Sequence, residues 1–244
     1  MRTDPRRPLI TVDLDETVWP CRPVIHAAEV AMYAWLEQEA PRLTAVHDQD
    51  SLRAHRRGII ERRPEIAHDM TLIRRDSLRE LLQALDYPAD LADAAVALFR
   101  DHRNRVEPFA DARPVLMRLR ERFRLVSVTN GNADVFQTPL GACFDHAITA
   151  ADVGAAKPDP AMFHAALGWA GVGPEEALHI GDDAHLDCAA AQAIGIDAVW
   201  VNRGDRPWPA DLPPPRLAVT DLHGLLDWLD AGAPGWPAAG EGGR

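Results

Sequence analysis

The sequence has little cysteine, a shortage of basic charge, no long apolar run and no internal repeat, and each lack removes a class of protein. Its three cysteines, Cys21, Cys143 and Cys188, are odd in number, widely spaced and without metal-ligand spacing, which argues against a disulfide framework or a zinc site. The expected compartment is therefore a reducing cytoplasm. Lys+Arg number 26 against 37 Asp+Glu, a net charge of −11, so a nucleic-acid backbone is not the expected partner. A phosphate bound by such a chain has to be held by a few placed donors and a metal. The apolar run that follows Arg2, Arg6 and Arg7 stops at Asp13, too short for a signal-peptide core or a membrane span. The ten histidines lack ligand spacing and form no metal cluster in the sequence.

What is present fits a globular chain: 244 residues with 47% hydrophobic and 26% charged, enough for one large domain or a core with an insert. After a polar, loose start over residues 1 to 8, a first strand ends at Asp13. Trp19 to Pro23 read as an exit loop, with Pro20 and Pro23 disfavouring an immediate helix. From Val24 the period becomes helical, with Val24, Ala28, Met32, Trp35 and Leu36 on one face, and the pattern runs to about Ala40. Further helical patterns cover 48 to 62, 65 to 86 and 89 to 104. A βα alternation follows: a helix at 110 to 122, a strand over Arg124–Asn132 that ends in small polar residues, a short strand at Ala147–Thr149, a strand over Ala177–Asp183 with an acidic exit, one at Ala198–Val201, and an edge strand at Leu217–Val219. The expected fold is α/β, a Rossmann-like doubly wound parallel sheet, made of residues 1–20 and 107–230 with an all-helical insert at 21–106 and a disordered tail at 231–244. An insert placed directly after the first strand's carboxyl end reads as a cap over the ligand edge of the sheet.

The chain is organised around Pro8 to Thr17, where a short apolar strand ends in two carboxylates, Asp13 and Asp15. Residues two apart in extended chain point to the same side, and two acids beside a core repel each other and resist desolvation. They call for a cation, a shared proton or many hydrogen-bond donors. A solvated acidic turn would have the same local spacing; the later strands decide between the two. One strand ends at Thr129-Asn130-Gly131, another at Asp182-Asp183, and Lys157 precedes a helix. A parallel sheet gathers all strand carboxyl ends on one edge, so these groups converge. One aspartate can attack phosphorus while the other handles the leaving-group proton; a divalent cation neutralises the acids, and Thr129 and Lys157 donate to phosphoryl oxygens.

These four motifs in this order resemble the haloacid dehalogenase superfamily of aspartate-nucleophile hydrolases, over about residues 9 to 202. The resemblance implies Asp13 as nucleophile and Asp15 as general acid/base. It implies Mg2+ on Asp13, the Asp15 carbonyl and Asp182, with Asp183, Asp187 and Thr17 as supports behind the ligands. Thr129, Lys157 and the amides near Leu14, Asp15 and Asn130 would hold the phosphoryl group. Glu16 is bulkier than the residue usual at its position and is expected to alter loop detail alone. Dehalogenases of the superfamily lack the acid/base aspartate, so Asp15 favours phosphate esters. A C1-type helical cap is implied by the insert.

Shorter stretches, Cys21-Arg22-Pro23-Val24-Ile25, Pro64-Glu65-Ile66-Ala67-His68-Asp69 and Thr129-Asn130-Gly131-Asn132-Ala133, resemble the bacterial flavin mononucleotide phosphatases that also act on 5-amino-6-(5-phosphoribitylamino)uracil. The expected partner is thus a small phosphorylated metabolite, with no nucleic acid and no membrane, and the enzyme a monomer or homodimer. Trp19, Arg22, His68, Asp69 and Arg74 are candidates to meet the leaving group, set against their alternative as solvated or packed residues. His179 reads as packed within its strand. A broad sugar-phosphate or nucleotide phosphatase, a phosphomutase, a phospho-accepting signalling domain and a non-catalytic binding protein are the competing readings. A phosphonate hydrolase would need a cap lysine, and residues 21 to 106 contain none.

Overall fold

The computed structural model describes residues 7–233 and 236. The looseness expected of residues 1–6 and the disorder expected of 234–235 and 237–244 concern positions outside the described residues. Six strands, β1 (Leu9–Val12), β2 (Arg124–Thr129), β3 (His146–Thr149), β4 (Ala177–Gly181), β5 (Asp197–Val201) and β6 (Leu217–Val219), form one sheet in the order β3-β2-β1-β4-β5-β6. Every pairing is parallel, with Thr11 opposite Val126 on one side and His179 on the other. Sequence order runs outward from β1 in both directions, and right-handed crossovers then place helices on both faces. The doubly wound expectation is met.

Burial follows strand position. In β1, β2 and β4 every residue is buried, and these strands are mostly apolar on both faces rather than alternating, with Thr11, Arg124, Ser127, Thr129 and His179 as the polar exceptions. The outer strands β3 and β6 are only partly covered. Leu9, Val126, Val128, Met162, Phe163 and Trp200 belong to the core beside the central strands.

The chain divides into two compact units, one containing the sheet and one made of residues 21–106 with 132–134. The second unit is helical: α1 (Cys21–Glu39), α2 (Pro41–Val46), α3 (Gln49–Arg62), α4 (Met70–Gln83) and α5 (Leu91–Arg103). α1 packs on α5, α5 on α4 and α4 on α3, around Met32, Leu36, Leu43, Leu82 and Phe99. The sheet unit carries α6 (Ala112–Arg122), α7 (Ala150–Val153), α8 (Ala161–Ala170), α9 (Ala190–Gln192) and α10 (Leu222–Asp230). Among the described residues no helix is long and apolar enough to cross a membrane.

Three local expectations are corrected. α1 begins at Cys21, not after Pro23, because a proline in the first helical turn lacks only an amide that has no intrahelical acceptor there. The pattern at 65 to 86 is broken: Pro64–Ile66 form a 3-10 turn, and Asp69 starts α4 by accepting the Thr71 and Leu72 amides. The segment after α10 is not wholly loose, since Trp236 is buried, 5.3 Å from the Phe123 ring, with its indole N–H on the Ala177 carbonyl. An aromatic that covers core surface outweighs the flexible composition around it.

Candidate active site

β1 runs out of its ladder at Asp13, whose amide still donates to the Ile180 carbonyl at 2.8 Å and so fixes the aspartate between β2 and β4. This is the point where strand order reverses, the crevice-forming position of an open α/β sheet. The chain then turns tightly: the Val18 amide reaches the Leu14 carbonyl, the Glu16 amide the Trp19 carbonyl, and Glu16 sits at φ 62°. Left-handed backbone disfavours a side chain bearing a Cβ, so Glu16 stores strain of order 1 kcal/mol in this turn.

The Asp13 carboxylate is held from two sides. Lys157 Nζ donates to Oδ1 at 2.7 Å and Thr17 Oγ1 to Oδ2 at 3.1 Å. Lys157 also donates to Asp187 Oδ1 at 2.6 Å and the Val128 carbonyl at 2.9 Å, which uses all three ammonium protons. It is the only lysine in the chain. Every other cationic side chain apart from the histidines is an arginine, and a compact ammonium concentrates its charge and three donors at one point between acceptors on three elements. This compositional signal marks Lys157 in the bare sequence.

Asp187 is placed by the turn Ala184–Ala189, which Asp183 caps by accepting the His185 and Leu186 amides. Its Oδ2 accepts the Asp183 amide and its Oδ1 faces His179 Nε2 at 3.2 Å. The close approach depends on Gly181, where a Cβ would lie 2.3 Å from Asp187 Cγ. His179 is fully buried, with Nδ1 2.8 Å from Thr11 Oγ1, as expected of a packed strand residue.

Carboxylate oxygens of Asp13, Asp182 and Asp187 lie within 4.8 Å of one another. One ammonium cannot neutralise three carboxylates, and their proton affinities separate accordingly. Burial raises Asp13 to about 8, with Lys157 opposing and Asp187 adding to the rise. Asp182 is raised to about 6 by burial and then by Asp187, against Arg206. Asp187 moves the other way, below the usual carboxylate range, because Lys157 and His179 outweigh its burial. Two neighbouring carboxylates with raised proton affinity, on one edge of the sheet, offer oxygen ligands of the kind that suits a hard divalent cation. Asp187 already accepts from Lys157 and the Asp183 amide, so it supports the site rather than offering a free ligand atom.

The remaining expected residues are placed as follows. Asp15 Oδ1 accepts the Trp19 indole N–H at 2.7 Å. Thr129 Oγ1 accepts the Gly131 amide, leaving the hydroxyl proton to donate elsewhere. Asn130 clasps Lys157, its amide nitrogen on the Lys157 carbonyl and its oxygen accepting the Lys157 amide. Leu14 is buried. Trp19 is fully buried and so presents no open aromatic face: it orients Asp15, a correction to its place among the leaving-group candidates. Arg74 is likewise interior, with its guanidinium 3.6 Å from the Phe99 ring and 3.5 Å from Glu29. Asp69 is engaged as the cap of α4. Arg22 is exposed and His68 half-buried.

The sheet carries acids at the carboxyl ends of its first and fourth strands and a lysine clasped between them, an arrangement that suits hydrolase chemistry. Residues 8–195 match the haloacid dehalogenase-like hydrolase family, and the chain belongs to that family. It is 31% identical over 228 residues to the Escherichia coli K12 5-amino-6-(5-phospho-D-ribitylamino)uracil phosphatase YigB, covering 90% of this chain and 95% of the relative. Against a Thermus thermophilus phosphoserine phosphatase it is 37% identical over 155 residues, 61% of this chain and 60% of that one. A crystal structure of a 2-haloacid dehalogenase from Pseudomonas syringae superposes with a TM-score of 0.86 at 35% identity, covering 93% of this chain and 99% of that chain.

Proposed function

We propose that this chain is a magnesium-dependent phosphatase of small phosphorylated metabolites, and that its substrate is flavin mononucleotide or the ribitylaminouracil phosphate of riboflavin synthesis. The observation that carries the reading is the Asp13 carboxylate, clamped by Lys157 and Thr17 beside Asp182, with Asp15 two residues on. The relation to the E. coli ribitylaminouracil phosphatase, along nearly the whole of both chains, supports the substrate class.

In this reading an Asp13 oxygen attacks phosphorus while Asp15 gives its proton to the departing alkoxide, so the ester P–O bond breaks as the aspartyl-phosphate forms. Asp15, now a carboxylate, takes a proton from water as the water oxygen attacks phosphorus. The bond to Asp13 then breaks, inorganic phosphate leaves and both aspartates are restored. Magnesium held by Asp13, Asp182 and the Asp15 carbonyl would supply the charge neutralisation that lets an anionic ester approach. Thr129 and the amides near Leu14, Asp15 and Asn130 donate to the phosphoryl oxygens. Lys157 reaches the same oxygens by exchanging one of its three protein acceptors. Residues 21–106 serve as a C1-type cap on a core of 1–20 and 107–230, and Arg22 and His68 stand as its leaving-group contacts.

The dehalogenase likeness favours a second reading, hydrolysis of a carbon–halogen bond. A halide departs without a proton, whereas an alkoxide needs one, so Asp15 is idle in dehalogenation and required in ester hydrolysis. The test is release of inorganic phosphate, with magnesium, from flavin mononucleotide, the ribitylaminouracil phosphate, sugar phosphates and nucleotides, alongside chloride release from a 2-chloroacid. Asp13→Asn is the blank and is expected to lose at least ~10³-fold in kcat. Chloride release without phosphate release sinks the phosphatase reading; equal turnover of all esters leaves a broad phosphatase.

A further inference from the structure

The loop after β5 holds an arginine that the chemistry above does not use. Arg203 Nε donates to the Thr17 carbonyl at 3.0 Å, and its two terminal nitrogens form a fork on Asp111, at 3.1 Å to Oδ1 and 2.8 Å to Oδ2. Asp111 Oδ2 also accepts the Leu222 amide at 2.7 Å, which anchors the start of α10. The guanidinium lies 4.0 Å from the Phe109 ring centroid, and the Phe109 amide donates to the Val18 carbonyl. Two segments distant in sequence, at Phe109–Asp111 and at Arg203, thus converge on the peptide units of Thr17 and Val18, and a third, at Leu222, anchors Asp111. Planar bidentate geometry over an aromatic face fixes a guanidinium far more tightly than one exposed contact does.

The braced residue stands next to the reacting group. Thr17 is fully buried, and its hydroxyl oxygen is 3.1 Å from Asp13 Oδ2 and 3.4 Å from Asp182 Oδ1. A hydroxyl has one proton, so the position of the Thr17 peptide decides which carboxylate receives it. We propose that Arg203, held by Asp111, is a positioning residue: it locks the Thr17 carbonyl so that the Thr17 hydroxyl fixes the Asp13 rotamer. The inference rests on the nucleophile role proposed for Asp13. Small displacements of a nucleophile carry large rate penalties, so a brace three bonds removed acts on kcat more than on KM.

The experiment compares Arg203→Met, which removes the fork and keeps the stem, with Arg203→Lys, Thr17→Val and the double variant. Arg203→Met is expected to lower kcat about 10- to 100-fold with KM within about threefold. Arg203→Lys keeps a donor for the Thr17 carbonyl but loses the fork on Asp111, and is expected to recover only part of kcat. The double variant should be no slower than Thr17→Val alone, because both act through one hydroxyl. Amide hydrogen exchange supplies a readout independent of turnover: residues 14–19 should exchange at least about tenfold faster in Arg203→Met while β1 stays protected. Wild-type kcat in folded Arg203→Met, additive losses in the double variant, or an unchanged exchange rate at 14–19 overturns the proposal. A wild type no faster than Asp13→Asn sinks the phosphatase reading instead, and the exchange measurement still decides whether the brace exists.

Discussion

Two buried charge clusters, one in each unit, are near mirror images in their stoichiometry. In the sheet unit a single ammonium, Lys157, lies among Asp13, Asp182 and Asp187. In the helical unit a single carboxylate, Glu29, accepts from Arg53 at 2.7 Å and Arg56 at 3.0 Å, with Arg74 at 3.5 Å. The surplus positive charge of the helical cluster is relieved within the protein. The Arg53 side chain is 31% exposed to water, and Arg74 lies against the Phe99 ring face. At the sheet edge the half-exposed Arg206 reaches Asp182 Oδ2 at 3.0 Å, yet it does not offset the burial, and the remaining negative charge appears as the raised proton affinities of Asp13 and Asp182. A cluster complete in itself is architecture; one left incomplete is a site for a proton or a metal ion.

The contrast breaks most visibly at the lysine. Lys157→Met leaves buried carboxylates without their cation, and an unfolding free energy lower by about 3–5 kcal/mol in chemical denaturation is expected, together with loss of turnover. A smaller loss in magnesium than in chelator would show the metal standing in for the ammonium.

The pH dependence of metal binding sharpens the comparison. Asp13 at about 8 and Asp182 at about 6 must both be ionised to ligate, so protons compete with the metal as pH falls. Calorimetric titration is expected to show magnesium affinity dropping about tenfold per unit from pH 8 to 6, for one displaced proton, and more steeply below that. For folding the sign is fixed by the same values. The folded Asp13 holds its proton more tightly than the unfolded group, so its contribution is complete below about pH 4 and is lost as pH rises through about 8. Glu29 runs the opposite way: burial alone would raise its pKa, but Arg53, Arg56 and Arg74 together lower it. Its contribution is present above the unfolded carboxylate range and fades in acid. In the metal-free protein the Asp13 contribution therefore weakens in alkali and the Glu29 contribution in acid.

Glu29→Gln removes the one anion of the helical cluster and is expected to cost about 2–3 kcal/mol, less than the lysine change because water already screens Arg53. Thermal melts at neutral pH check it. The smallest effect is expected at Glu16, where glycine relieves the left-handed backbone. Glu16→Gly should change stability by less than about 1 kcal/mol, since strain relief is offset by a freer unfolded chain.

The difference between the clusters also explains what could be read from the chain. Asp13, Asp15, Thr129, Lys157 and Asp182 were legible because each ends a strand or precedes a helix, and parallel topology alone brings strand ends together. Central strands announced themselves as short, mostly apolar runs without strict alternation. Contacts within the folded interior were not legible. Trp19 and Arg74 read either as leaving-group contacts or as packed residues; Trp19 is a buried donor to Asp15, and Arg74 belongs to the Glu29 cluster. Arg203 and Asp111 lie 92 positions apart with no local pattern to pair them. Helix boundaries near Pro23 and Asp69 depended on capping geometry that periodicity does not encode.

The solitary lysine has a consequence for labelling chemistry. Arylating or acylating reagents that select primary amines find a single side-chain target in this chain, and its nitrogen is shielded by three acceptors inside the site. The mass increment at Lys157 therefore counts openings of the catalytic crevice, without a background from surface amines on other side chains. Followed over time with and without magnesium or a phosphate ester, that increment gives the enzyme a built-in occupancy gauge.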